Sequence, residues 1–549
     1  MKRLALGVLA LSVSAAVMAA TPKFDGARMS AHVKELSSDA YEGRAPATAG
    51  EEKTVAYLSQ QFAAAGLQPG GDLRDGKRLW TQAVPLRKGD IVGTPKLSLS
   101  SKGKAQALTQ GQEIAVRAAM NGDDAVAIKD APLVFVGYGV KAPERNWDDF
   151  KGVDLAGKIA VVLINDPDFE TGEGDFDGKG MTYYGRWTYK YEEGARQGAA
   201  GVLIVHETAP ASYGWATVAG SNTNTMFDVV REDPSRAHPA LEGWIQRDLA
   251  VEMFKRAGLD FEALKKQAQS RDFKPVVLEG ETFSADYQVK SEIITSQNVV
   301  ARLEGSKYPD ETVIYSGHWD HIGKAEPDAN GDSIFNGALD NASGTAALLE
   351  LARGFASQPR PQRSVVFLAV TAEEKGLLGS EYYASQPLYP LEKTVAVINI
   401  DGAAPFGPSR DFGIYGSVQM DLLDQLKDVA KQWDVRYTPD PLPEAGLFFR
   451  SDHFPFAKRG VPALSYSAGQ DWIDGGVAAG KKASDDYTAK RYHQRGDEWQ
   501  ADWTFAGAAR DLEIVYTLGS QLANSRKWPG WGAGSEFGAL RSESDDQRK

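Results

Sequence analysis

Apolar residues recur at helical spacing early in the chain, with Met29, Val33 and Leu36 followed by Val55, Leu58 and Phe62. This predicts helices within residues 24–67, separated by a polar turn at 41–46. Short alternating stretches over 96–119 predict strands. Two buried-strand runs follow, at 159–164 and 201–205, around a loop rich in Gly, Asp and aromatic residues at 166–191. Helical periodicity returns over 244–268. From about Ser296 the rhythm is strand, loop, helix, repeated. Strands are predicted at 298–303, 312–315, 364–370 and 394–400, with helices at 342–355 and from 379. The alternation defines an α/β fold, a mixed, mostly parallel sheet flanked by helices. Residues 125–285 have their own apolar core signal without metal-capable or nucleophilic clusters, and read as a smaller inserted α/β domain. The organisation expected is a main domain from 24–124 and 286–525, the insert at 125–285, and a flexible tail at 526–549 rich in Gly, Ser and charge.

Composition narrows the function. The 549 residues are 42% hydrophobic and 25% charged, enough to build several cores. The net charge of −13 disfavours nucleic acid as a partner. There is no cysteine, so thiolate metal sites, cysteine nucleophiles and disulfides are excluded. Lys2 and Arg3 precede an apolar run and small residues ending near Ala19 or Ala20, the pattern of an export signal over residues 1–20. A run of this length falls short of a membrane span. A periplasmic or secreted location follows as the expectation.

The candidate chemistry lies where predicted strands end. The strand at 312–315 runs into His318, Asp320 and His321, that at 364–370 into Glu373 and Glu374, and that at 394–400 into Asp401. Asp340 precedes a predicted helix. Ligands of open α/β sheets bind at the carboxyl ends of the strands, so these groups are expected in one crevice. Carboxylates with imidazole suit zinc, manganese or cobalt. If two divalent ions share the site, Asp340, Glu374 and Asp401 nearly balance them, which leaves Glu373 free to act as a base. Asp320 is placed to accept the other ring N–H of His318. No GxSxG or phosphate-binding loop is present.

The strings SGHWDHIG, NGALDNASGTAALLELA, TAEEKGLLGSEYY, INIDGA and RYHQRGDE resemble the zinc aminopeptidases of peptidase family M28, and the insert resembles a protease-associated (PA) domain. The resemblance covers about 25–525 and is sharp over 311–501. It implies a two-zinc exopeptidase, cobalt or manganese also being accepted, that acts on peptides with a free N-terminus. His318 and Asp401 would hold one ion, Glu374 and His493 the other, and Asp340 both. It makes Glu373 the general base and Tyr492 an oxyanion donor, and it assigns Ser451, Asp452 and His453 to the substrate-side loop. His453 competes with His493 for the last ligand place. His493 is preferred because Tyr492 precedes it and Asp497 follows four residues on. Three alternatives stay open: a carboxypeptidase or dipeptidase using Arg450 or Arg491 for the substrate carboxylate, a glutaminyl cyclase, and a non-catalytic binding protein. Oligomeric state and preferred residue are not legible.

Overall fold

The computed structural model describes residues 21–548; the expected export signal lies outside them. The centre of the fold is a run of apolar strands, Val276–Leu303 (β1), Tyr308–His318 (β2), Arg363–Val370 (β3), Thr394–Ile400 (β4) and Ala463–Ala468 (β5). In space they lie in the order β5, β4, β2, β3, β1. β5, β4, β2 and β3 are parallel to one another, while β1 runs antiparallel to β3. β3 and β4 are buried along their whole length. That burial on both faces is why their sequences are continuous apolar runs rather than alternations.

Helices cover the sheet, among them Gly344–Ala356 and Ala506–Ala523. Beneath them Tyr315 and Phe367 stack at 5.7 Å, with Phe355 against both. The Tyr315 hydroxyl donates to the carbonyl of Val515 at 2.9 Å. A side chain at Gly519 would meet that hydroxyl at 1.8 Å, so only glycine lets the last long helix settle here.

A second run of strands, Ala125–Phe135, Ile159–Leu163, Gly201–His206 and Leu241–Gln246, is parallel throughout, with Ile114–Val116 antiparallel at its edge. The two parts share β1. Its first half pairs with Ala125–Phe135 and its last residues pair with β3. One long strand thereby fixes the insert over the carboxyl ends of the central strands. Among the described residues no helix is long and apolar enough to cross a membrane.

Two expectations are corrected. Residues 244–268 are not one helical stretch. Trp244 belongs to a strand, paired with Ile204, and the helices Arg247–Arg256 and Phe261–Gln267 are separated at Gly258, whose φ of +79° ends the first. The segment 526–549 is not a free tail across its described residues. Trp531 donates from Nε1 to the carbonyl of Gly460 at 2.8 Å, Phe537 is buried against Phe448, and Arg541 donates to the carbonyl of Thr394 at 2.9 Å. Its few aromatic side chains supply the apolar surface that the Gly, Ser and charge content conceals.

Candidate metal centre

Register brings the site together. His318 pairs with Val370 and Ser316 with Asn399, so β2, β3 and β4 end level and deliver His318, Glu373, Glu374 and Asp401 to one place. Asp340 arrives from the loop before the helix Gly344–Ala356. Asn341 fixes that loop. Its Oδ1 accepts from the amides of Gly344 (2.9 Å) and Gly402 (2.8 Å), and its Nδ2 donates to the carbonyl of Ile400 at 3.1 Å. A Cβ at Gly344 would lie 2.1 Å from Asn341 Oδ1, so the helix closes onto the end of β4 only without a side chain there. Asp497 completes the support, accepting from the amides of Leu339 (3.1 Å) and Asp340 (3.0 Å).

The side chains converge as the sequence predicts. His318 Nε2 lies 3.3 Å from Asp340 Oδ1 and 3.3 Å from Asp401 Oδ1. His493 Nε2 lies 3.1 Å from Asp340 Oδ2 and 3.2 Å from Glu374 Oε2. Asp340 therefore turns one oxygen to each histidine. Donors bound at ~2.0–2.1 Å around a tetrahedral ion stand about 3.3 Å apart, which is the spacing found here. Glu374 Oε1 lies 2.6 Å from His321 Nδ1, and the donor set of carboxylate and imidazole fits divalent zinc.

The electrostatics carry the same mark. Burial opposes charge on Asp340, but hydrogen bonds from His318 and His493 outweigh it and hold the carboxyl far below the usual range. Burial opposes charging of His493 too, and its bonds to Asp340 and Glu374 raise it to about 10. Glu373 is pushed well above the carboxylate range by burial and by the charges of Asp401, Asp452 and Glu374, against the pull of His318. Tyr492 is raised by burial and stays a phenol; it stacks on His493 with ring centres 3.9 Å apart.

Several placements depart from the sequence reading. The Nδ1 of His318 bonds the backbone carbonyl of Asp320 at 3.1 Å, whereas the Asp320 carboxylate stands 3.8 Å away. That carboxylate instead accepts from the amides of Glu373 (3.0 Å) and Glu374 (3.4 Å), positioning both glutamates. Ser451, Asp452 and His453 are fully buried and do not line the cavity. Ser451 donates to Asp401 Oδ2 at 2.7 Å, Asp452 accepts from Ser380 at 2.7 Å, and His453 packs against Phe448 with burial lowering it to about 3. They lie behind the wall, and their neighbours Phe449, Arg450 and Phe454 face the cavity instead. His321 is buried with Nδ1 2.6 Å from Glu374 Oε1, within the crevice. Two supports had no usable signal. Arg44 is buried and donates to the carbonyls of Trp319, Leu36, Asn336 and Gly337, and the Tyr415 hydroxyl donates to the carbonyl of Asp401 at 2.9 Å.

The centre opens into a cavity of about 870 Å³ roofed by the insert. On the roof, His238 bonds Glu242 through Nδ1 (2.7 Å) and Asp228 through Nε2 (3.0 Å), with Arg117 on Glu242 and Arg231 on Asp228. Burial lowers the His238 pKa, and the two carboxylates outweigh it to reach about 9 from 6.5. The folded pKa is the higher one, so this stabilisation is complete below pH 6.5 and is lost as pH rises through 9. The expected result is a loss on the order of 3 kcal/mol across that window, absent in His238→Gln. Thermal melts of both proteins between pH 6 and 10 check it, and parallel curves would refute it.

The model of peptidase family M28 matches residues 298–517, the segment that carries every group of this centre. The mouse protein "Aminopeptidase NAALADL1" is 33% identical over 179 residues, covering 28% of this chain and 21% of its own length. A "Probable zinc metalloprotease" of Pyrenophora teres f. teres is 42% identical over 103 residues, 19% of this chain and 22% of that protein. The chain thus spans about a fifth of the length of these curated relatives. The solved "Aminopeptidase from Aneurinibacillus sp. strain AM-1" has the same fold, with a TM-score of 0.50 at 20% identity over 92% of this chain and 96% of that one.

Proposed function

We propose that this protein is an exported, two-metal aminopeptidase that removes the N-terminal residue of peptides. The observation that carries the reading is the division of Asp340, one oxygen toward His318 and the other toward His493. His318 and Asp401 would hold one ion, Glu374 and His493 the other, and Asp340 would join both. When bound, the ions supply Lewis-acid polarisation of the scissile carbonyl and acidify water. Glu373 takes the proton of the attacking water and returns it to the leaving amine. Tyr492 donates its hydroxyl to the developing oxyanion. The carboxylates around Asp340 favour a free ammonium at the peptide's first residue, the source of N-terminal direction. The insert, read as PA-like, roofs the cleft and limits substrate length.

A panel of free and N-acetylated peptides, assayed with and without a chelator, tests the proposal. Cleavage of the free peptides alone, abolished by chelation and restored by Zn²⁺, Co²⁺ or Mn²⁺, is expected. Equal cleavage of the acetylated series would reject the N-terminal direction.

A further inference from the structure

The cavity wall carries two guanidinium groups with no acidic partner among the described residues. Arg186, from the insert just before the helix Trp187–Arg196, is 9% exposed, and its side chain makes no hydrogen bond or ion pair among the described residues. Its Nε is buried and unpartnered. Arg450 comes from the main domain, immediately before the Ser451 that holds Asp401. Its Nη2 donates only to Ser212 Oγ (2.9 Å) and the carbonyl of Ala445 (2.7 Å), its Nε is also buried and unpartnered, and its guanidinium lies 6.0 Å from the centre of the Tyr213 ring. The two arginines repel each other. Burial and then Arg450 lower Arg186 to about 10, which leaves it charged at neutral pH. By contrast, the other arginines of this wall are neutralised, Arg117 by Glu242 and Arg231 by Asp228 and Glu381.

Two like charges largely withdrawn from water on one cavity wall are costly unless an anion joins them. Both line the cavity that contains Asp340, Glu373, Glu374 and Asp401. Tyr492, stacked on His493, lines the same cavity as both arginines. The cavity thus has a concentration of carboxylates at one place and a carboxylate-seeking pair at another. A volume of about 870 Å³ is on the scale that encloses a small ligand. We propose that Arg186 and Arg450 bind the C-terminal carboxylate of the substrate, and that the preferred substrates are short peptides with both ends free. Planar guanidinium groups suit a carboxylate through paired N–H donors, and the roof stops longer chains from presenting their terminus there. This rests on the exopeptidase reading above and adds its substrate class.

The test compares kcat/KM, in the zinc-loaded protein, for one tripeptide as the free acid, as its C-terminal amide, and as an amide carrying Glu at the third position. The expected preference for the free acid over the amide is about tenfold or more, the range of a charge-assisted hydrogen bond, and it resides in KM. Arg186→Met brings the ratio to near one, and Arg450→Met reduces it. Equal turnover of acid and amide by the unaltered protein overturns the carboxylate site and leaves the aminopeptidase reading standing. A preference restored by the Glu side chain in the amide overturns the terminal assignment. No cleavage of any of the three overturns both.

Discussion

Glu373→Gln is expected to lower kcat by about 10²–10⁴-fold while zinc content stays that of the unaltered protein. The amide keeps the volume of the carboxyl but cannot accept a proton. Glu373 lines the cavity and makes no ion pair with His318, His321 or His493, unlike Glu374. The backbone is held independently of the side chain, through the amide of Glu373 on Asp320 Oδ1, so the substitution leaves Glu374 in place. Steady-state kinetics with metal analysis of the same preparation gives the answer. Activity within tenfold of the unaltered protein would remove Glu373 from proton transfer, and a fall in zinc would make it a ligand.

What the sequence made legible follows from where each signal resides. The central strands read correctly because burial on both faces forces continuous apolar runs such as Val365–Val370 and Val395–Ile398, and the convergence of His318, Glu373, Glu374 and Asp401 was legible because each lies at or just beyond the end of such a run. β1 was read only from Asn298, although it begins at Val276. Its first half alternates buried and exposed positions, Phe283, Ala285, Tyr287 and Val289 facing inward, in a segment with many polar residues. Supports acting through the backbone left no pattern at all. Arg44 reaches across almost three hundred residues to the carbonyls of Asn336 and Gly337, and a lone arginine in a polar turn carries no sign of that. Ser451, Asp452 and His453 show the converse. The family resemblance put them on the substrate side, yet Ser451 and Asp452 hydrogen-bond inward, and the wall they support presents Phe449 and Arg450.

The second large effect expected is that of Asp340→Asn. Stoichiometry should fall by at least one ion per chain and kcat by roughly 10³-fold or more, since a neutral amide replaces the carboxylate shared by the two histidine sites and lowers both their charge and their affinity. The fold around the position should persist. The amide of Asp340 stays on Asp497 Oδ2, and Asn341 still ties the loop to Ile400, Gly344 and Gly402, all without the Asp340 side chain. The stability gap between zinc-loaded and chelated protein gives a readout separate from turnover. Ligand held a thousandfold above its Kd adds about 4 kcal/mol, so the unaltered protein should melt well above its chelated form, and the gap should shrink sharply in the variant. Asp340 makes this effect larger than either histidine alone would. Its two oxygens lie within 3.3 Å of both imidazoles, so a single change acts on both halves of the centre at once. A variant that kept two ions and the full melting gap would show that His318 with Asp401, and His493 with Glu374, bind without a shared carboxylate, and the joined centre would have to be given up.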